Sequence, residues 1–330
     1  MKNILIISVV LSLMIACDDD NKQNNSNNTN NNINNTNNTN NTNNSNNVNN
    51  TNNTNTTIIY PVFENEQQVV ISGYDDHAME PFISGDGSTL FFNSLNNGTT
   101  TSLYYATRVS DTEFTFGGEV AGANGAEPHL DAVASMDDSG NFYFVSTRNY
   151  PDVMENLQKA TYSNGAVTDV MPVEGDFYIL VPGWLIMDAE ISRDGNVLYA
   201  VNAKFSGGEI PDESFITIAV KSEDSFEKTE DTEEIMELVN DPDYLVYAPA
   251  ISTDGLELYF TRIEKGTFTT EICVSVRNSV SDPFSEPQSL GITGIIPEAV
   301  TLEANKSRIY YHKTAGGAIH RIFTKARIVD

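Results

Sequence analysis

Cysteine is almost missing from this chain: Cys17 and Cys273 are the only two in 330 residues. Apart from Cys17 one thiol remains, so no internal disulfide is available. Cys273 sits in the alternating run Glu271-Ile-Cys-Val-Ser-Val, the setting of a small buried hydrophobe, and is assigned no chemistry. Basic residues are also scarce, 18 against 46 acidic ones, for a formal charge of -28. The first 57 residues hold Lys2, Lys22 and three Asp, a net -1, which leaves -27 on the rest. Such a surface repels nucleic acid and anionic lipid and suits cationic partners, calcium or plain solubility. No Gly-rich phosphate loop, nucleophile elbow or paired-Cys motif occurs, which disfavours seryl and phosphoryl-transfer chemistry. The apolar run at 4–16 has 13 residues, too few to span a bilayer.

Lys2 followed by that run has the layout of a secretory signal. Its end, Met14-Ile15-Ala16-Cys17, resembles the lipobox of bacterial lipoproteins. That resemblance implies a signal peptide over 1–16, a diacylglycerol on Cys17 as the mature N-terminus, and a lipid-anchored place in the cell envelope. Asp18, Asp19 and Asp20 resemble an inner-membrane retention mark of enteric bacteria, but the leaflet stays open. Residues 21–57 are almost wholly Asn and Thr, with no aromatic residue and no apolar periodicity. They read as a tether with a reach of roughly 35 Å. What remains, 58–330, is long enough for one domain with a large core.

That domain repeats one short plan five times. The copies read Asp86-Gly-Ser-Thr-Leu-Phe-Phe, Asp138-Ser-Gly-Asn-Phe-Tyr-Phe, Asp194-Gly-Asn-Val-Leu-Tyr, Asp254-Gly-Leu-Glu-Leu-Tyr-Phe and Asn305-Lys-Ser-Arg-Ile-Tyr-Tyr. Asp-Gly between apolar runs is a hairpin turn: glycine supplies a positive φ, and the aspartate bonds its own backbone. The spacings of 52, 56, 60 and 51 residues are those of propeller blades. A third strand follows each hairpin, for example Ser102-Leu-Tyr-Tyr-Ala-Thr-Arg108, and a fourth, outer strand follows in most copies. Its marks are Phe114 six residues before Val120 and Phe284 six before Leu290. The fifth copy lacks the fourth strand, and the same six-residue spacing recurs ahead of the first, from Phe63 to Val69. The expected fold is therefore all-β, a five-bladed β-propeller of four-stranded antiparallel blades, with residues 63–72 closing the ring against the last blade. An open solenoid, a two-sheet sandwich and a sixth blade between Tyr199 and Val246 are the alternatives.

Ser84-Gly-Asp86-Gly, Ser192-Arg-Asp194-Gly and Ser252-Thr-Asp254-Gly resemble the WD-like propeller repeat of TolB type, except at its Pro position. The resemblance implies fold more than activity. Where TolB carries an α/β domain this chain has a tether, so a TolB role is not implied.

Segments leading into the innermost strands are rich in polar and aromatic residues, and they make the expected binding face: Tyr74, His129, Trp184, Tyr244 and Tyr247. Six or seven positions before the turns fall Glu80, Asp131, Asp188 and Glu298, a ring of four carboxylates at the channel mouth. Two such acids suit a glycosidase, and some five-bladed propellers cleave arabinan or fructan, although the motifs of those families are missing here. Asp76, His77, Glu80, His129, Asp131 and Asp188 are candidate ligands for calcium or a transition metal. His312 and His320 lie on other strands and look unremarkable. Without a catalytic motif, the sequence points first to a non-catalytic binding module for an envelope protein or glycan. A polysaccharide-cleaving enzyme and a structural spacer are the rivals.

Overall fold

The computed structural model describes residues 58–328, apart from 129, 209 and 317. The segments expected to be a signal peptide and a tether, Cys17 between them, and His129 lie outside the described residues. A leading strand β1 (Phe63–Gln68) and a short β2 (Val70–Ser72) precede the first blade. Blade 1 is β3 (Met79–Ile83), β4 (Thr89–Asn93), β5 (Leu103–Arg108) and β6 (Glu113–Glu119). Blade 2 is β7 (Asp131–Met136), β8 (Asn141–Ser146), β9 (Leu157–Ser163) and β10 (Ala166–Pro172). Blade 3 is β11 (Trp184–Ile191), β12 (Val197–Lys204), β13 (Glu213–Ser222) and β14 (Ser225–Lys228), followed by a one-turn helix α1 (Thr232–Ile235). Blade 4 is β15 (Tyr244–Ile251), β16 (Glu257–Glu264), β17 (Thr270–Val276) and a two-residue β18 (Gln288–Ser289). Blade 5 is β19 (Ile295–Leu302), β20 (Arg308–Ala315), β21 (Ile319–Arg327) and, returning from the front of the domain, β1.

The five innermost strands touch in a cycle, β3 to β7 to β11 to β15 to β19 and back to β3. Residues 199–246 hold β13, β14 and α1 rather than a sixth blade. β1 pairs antiparallel with β21, Phe63 opposite Arg327 and Gln68 opposite Phe323. The expected closing segment is too long by its last part. Buried Val69 donates its N–H to the Ile322 carbonyl at 2.8 Å, and the chain then crosses to blade 1. There Val70, Ile71 and Ser72 pair parallel with β6. The leading segment thus binds the outer edges of both the last blade and the first.

Each blade is apolar on both faces, so the core is five clusters, one per blade junction, and not one central mass. Tyr310 and Ile322 of blade 5 pack on Ile83, Leu90 and Phe114 of blade 1. Phe82 and Phe91 meet Phe142 and Phe144 across the next junction. Phe284, the mark of the outer strand in blade 4, fills the junction between blades 3 and 4 together with Cys273. Burial there pushes the Cys273 thiol up to about 12, which leaves it unreactive.

The repeated turn forms as its chemistry requires. Ser84 donates to Asp86 Oδ1 at 2.6 Å, the same oxygen accepts the Ser88 N–H at 2.9 Å, and Gly87 adopts φ 71° while donating to the Ser84 carbonyl. Ser192 and Asp194, and Ser252 and Asp254, repeat the contact at 2.6 Å. In the second copy Gly140 N–H goes to the Asp137 carbonyl, and the Asp137 side chain takes the Ser139 and Asn141 N–H groups. Asp137 therefore stands where Ser84 stands elsewhere, and the second copy runs one residue later than an alignment on Asp138 implies.

Candidate active site

Every innermost strand carries a register shift against its partner, next to Glu80, Val133, Asp188, Ala248 and Ala299. With the second copy read in its true frame, these five residues are equivalent. Glu80, Val133, Ala248 and Ala299 adopt φ between 48° and 57°, a left-handed conformation that bulges each strand toward the channel. The bulge takes an N–H out of the ladder, and a side chain on the second strand of the preceding blade accepts it. Asn93 Oδ1 takes that of Val133 at 3.1 Å, Thr261 Oγ1 that of Ala299 at 3.0 Å, and His312 Nδ1 that of Glu80 at 3.1 Å. In blade 3 the place belongs to Val201, which has no acceptor, and Asp188 Oδ2 takes the Ala248 N–H itself at 3.2 Å.

The bulges gather Glu80, Asp188 and Glu298, from blades 1, 3 and 5, around one cavity of about 60 Å³, room for about four water molecules. Asp188 and Glu298 are 3% and 2% exposed. Their partners are neutral donors: Asn93 for Glu80, the Ala248 N–H for Asp188, and the Tyr247 hydroxyl, 2.6 Å from Glu298 Oε1. Burial is the first cause that holds all three protonated beyond the usual carboxylate range. Asp188 rises to about 7 and Glu298 to about 8, while Glu80, facing the charges of both, rises well above its ordinary value. Three carboxyls so placed influence one another's titration, and each holds its proton more tightly than an ordinary carboxyl. Leu130, Val145, Leu185, Met187 and Phe205 supply the apolar side of the cavity, and Asn96 and Thr147 its polar rim.

Below the carboxyls a smaller void of about 30 Å³ continues the channel past Phe82, Glu190 and Thr301. Buried Arg193 lies beyond it, over the Phe82 ring at 5.2 Å, and donates to the Ile83 and Leu302 carbonyls at 3.0 and 3.3 Å. Glu190 accepts from Ser135 at 2.8 Å, and burial raises it to about 7. The guanidinium of Arg193, from blade 3, thereby ties blades 1 and 5 together.

Three of the four expected acids meet in this way; Asp131 does not. The one-residue frame shift turns it off the channel, because side chains in a strand alternate faces. Its carboxylate pairs with Arg148 at 2.6 Å and accepts the Gly125 N–H at 2.7 Å. Of the expected binding face, His129 lies outside the described residues, and among the others Tyr247 alone joins the carboxyls. Tyr74 packs among Phe92, Tyr104 and Phe116. Tyr244 lies under Arg262 at 4.3 Å, and Trp184 lies edge-on to Phe215. Of the candidate metal ligands, His129 lies outside the described residues, and among the described residues no three His, Cys, Asp or Glu side chains are arranged to hold an ion. Asp76 accepts the His77 N–H, and His77 Nδ1 accepts that of His320. Sequence reasoning passed over His312, Glu190 and Arg193. His312 was discoverable, since seven positions after the turn residue lie Asn93, Thr261 and His312 alike.

No protein-family model and no curated protein matches the chain. Solved structures do. A family 117 glycoside hydrolase from the marine bacterium Zobellia galactanivorans superposes with a TM-score of 0.53 at 9% identity, covering 82% of this chain and 93% of its own. An endo-arabinase from Bacteroides thetaiotaomicron gives 0.51 at 16% identity, covering 80% and 98%. TolB from Acinetobacter baumannii gives 0.39 at 13% identity, with 76% of this chain and 54% of TolB covered. The identities show a shared fold. The expectation of a non-catalytic binding module is nonetheless corrected: glycoside hydrolases are among the structures that share the fold over most of both chains, and the channel gathers three buried carboxyls whose proton affinity is raised.

Proposed function

We propose that the propeller is a glycoside hydrolase that uses its channel carboxyls on a polysaccharide. The observation that carries this reading is the meeting of Glu80, Asp188 and Glu298 in one pocket with neutral donors as their hydrogen-bond partners. Glycosidic cleavage needs one carboxylic acid to protonate the leaving oxygen and one carboxylate to act as base or nucleophile. Glu80 suits the acid, because burial and two neighbouring carboxyls hold its proton. Asp188 suits the anionic partner: the Ala248 N–H supports its charge, and a value of about 7 keeps it poised near neutral pH. Glu298, held by Tyr247, tunes the other two through its own charge. The enzyme would be presented at the envelope by the lipid on Cys17 and the Asn/Thr tether.

The test is sugar release from arabinan, fructan and cell-wall glycans by the wild type, Glu80→Gln and Asp188→Asn. Loss of either carboxyl should lower turnover by about 10²- to 10⁴-fold. No release from any of these glycans, or release that survives both substitutions, would refute the proposal.

A further inference from the structure

The place that caps each bulge is filled by simple acceptors in blades 1 and 4, Asn93 and Thr261. Blade 5 uses a histidine for the same task, and a ring has a second nitrogen to direct. We infer that His312 is a positioning residue of the carboxyl centre, fixed as its Nε2–H tautomer by the Glu80 backbone and aiming that one hydrogen at Glu298. The inference deepens the hydrolase reading and rests on it for its purpose, though not for its geometry.

His312 is fully buried in β20, and its backbone partner in β19 is Glu298. That pair is held between two register shifts, Ile295 to Glu298 and Glu298 to Thr301, so the local bulges set the two side chains across from one another. Nδ1 accepts the Glu80 backbone N–H at 3.1 Å. An amide nitrogen can only donate, so Nδ1 carries no hydrogen, and in a neutral ring the hydrogen is on Nε2. Burial keeps the ring neutral, pushing it down to about 3. Nε2 stands 3.5 Å from Glu298 Oε2 and has no other hydrogen-bond partner in the described structure. A closing movement of a few tenths of an ångström makes this a hydrogen bond.

With Tyr247 on Oε1 and His312 on Oε2, Glu298 has a donor at each oxygen, an arrangement that favours its anion over that of Glu80. The same imidazole holds the Glu80 bulge in place. One ring therefore ties the position of one carboxyl to the charge of another. The remaining ionisable neighbour at the ring is His320 on β21, at 5.5 Å, with His77 behind it; burial keeps His320 neutral as well.

Two variants separate the two nitrogens. His312→Thr keeps an acceptor for the Glu80 N–H, as Thr261 does for Ala299, and leaves no donor at the Nε2 position; His312→Gln keeps a donor near Nε2. In the wild type, ¹⁵N spectra of the His312 ring at pH 7 should show the Nε2–H tautomer. In His312→Thr the ¹³C-detected Glu298 titration should move up by about one unit, with the folded spectrum retained, and in His312→Gln it should move less. A protonated Nδ1 in the wild type, or an unchanged Glu298 titration in a folded His312→Thr, would overturn the inference. Failure of glycan hydrolysis leaves both spectra as expected, so the two ideas fail separately.

Discussion

Burial and neighbouring carboxyls raise a carboxyl's affinity for its proton, and a facing cation lowers it. Glu80, Asp188 and Glu298 meet neutral donors in the channel, whereas Asp131, equally buried, lies off the channel and pairs with Arg148 at 2.6 Å. Asp131→Asn should therefore act on stability alone. Arg148 is partly exposed and can turn to solvent, so the cost should be about 2 kcal/mol in denaturant titration, with turnover within twofold of wild type; a large loss of turnover would return Asp131 to the site. Distance from a turn, counted in sequence, identifies Glu80, Asp188 and Glu298. The same count misplaces Asp131 because Asp137-Asp138 offers two candidates, and only the hydrogen bonds to Ser139 and Asn141 show which one begins the turn.

At the scale of elements, the hairpin of first and second strands was legible because its turn and alternation are local. The outer strands were less so. β18 is two residues long, and β2 pairs parallel across to blade 1, a choice fixed by where Val69 can be buried rather than by any nearby residue. The six-residue spacing from Phe63 did identify β1. Its ring is 5% exposed, edge-on to Tyr259 at 6.0 Å, in the junction between blades 4 and 5. Phe63→Ala should cost about 3 to 5 kcal/mol, read as a lowered unfolding midpoint. An unchanged midpoint would mean that β1 is not part of the cooperative unit. The bulges had no sequence signal of their own, since Glu, Val and two Ala adopt the left-handed conformation there. They become recognisable only through the acceptor each one requires.

As a whole, the described propeller is a cycle of five apolar junctions around a polar centre, and that centre works against the fold as pH rises. Asp188 and Glu190 at about 7, and Glu298 at about 8, bind protons in the folded state that their unfolded counterparts release near pH 4. Their stabilising contribution is complete below pH about 4 and is lost as pH climbs through the folded values. Buried His312 and His320, lowered to about 3, act in the opposite sense, but only below the unfolded histidine value near 6.5. Between pH about 6.5 and 8 the carboxyls act without that opposition.

The most direct measurement is the thermal unfolding midpoint across pH 6.5 to 8.5 for the wild type and Asp188→Asn. Protons held tightly at the channel predict a wild-type midpoint that falls across this range and a shallower fall in the variant, which should be the more stable protein at the alkaline end. A wild-type midpoint that is flat or rises, or a variant that follows the same curve, would contradict a carboxyl centre holding its protons at neutral pH.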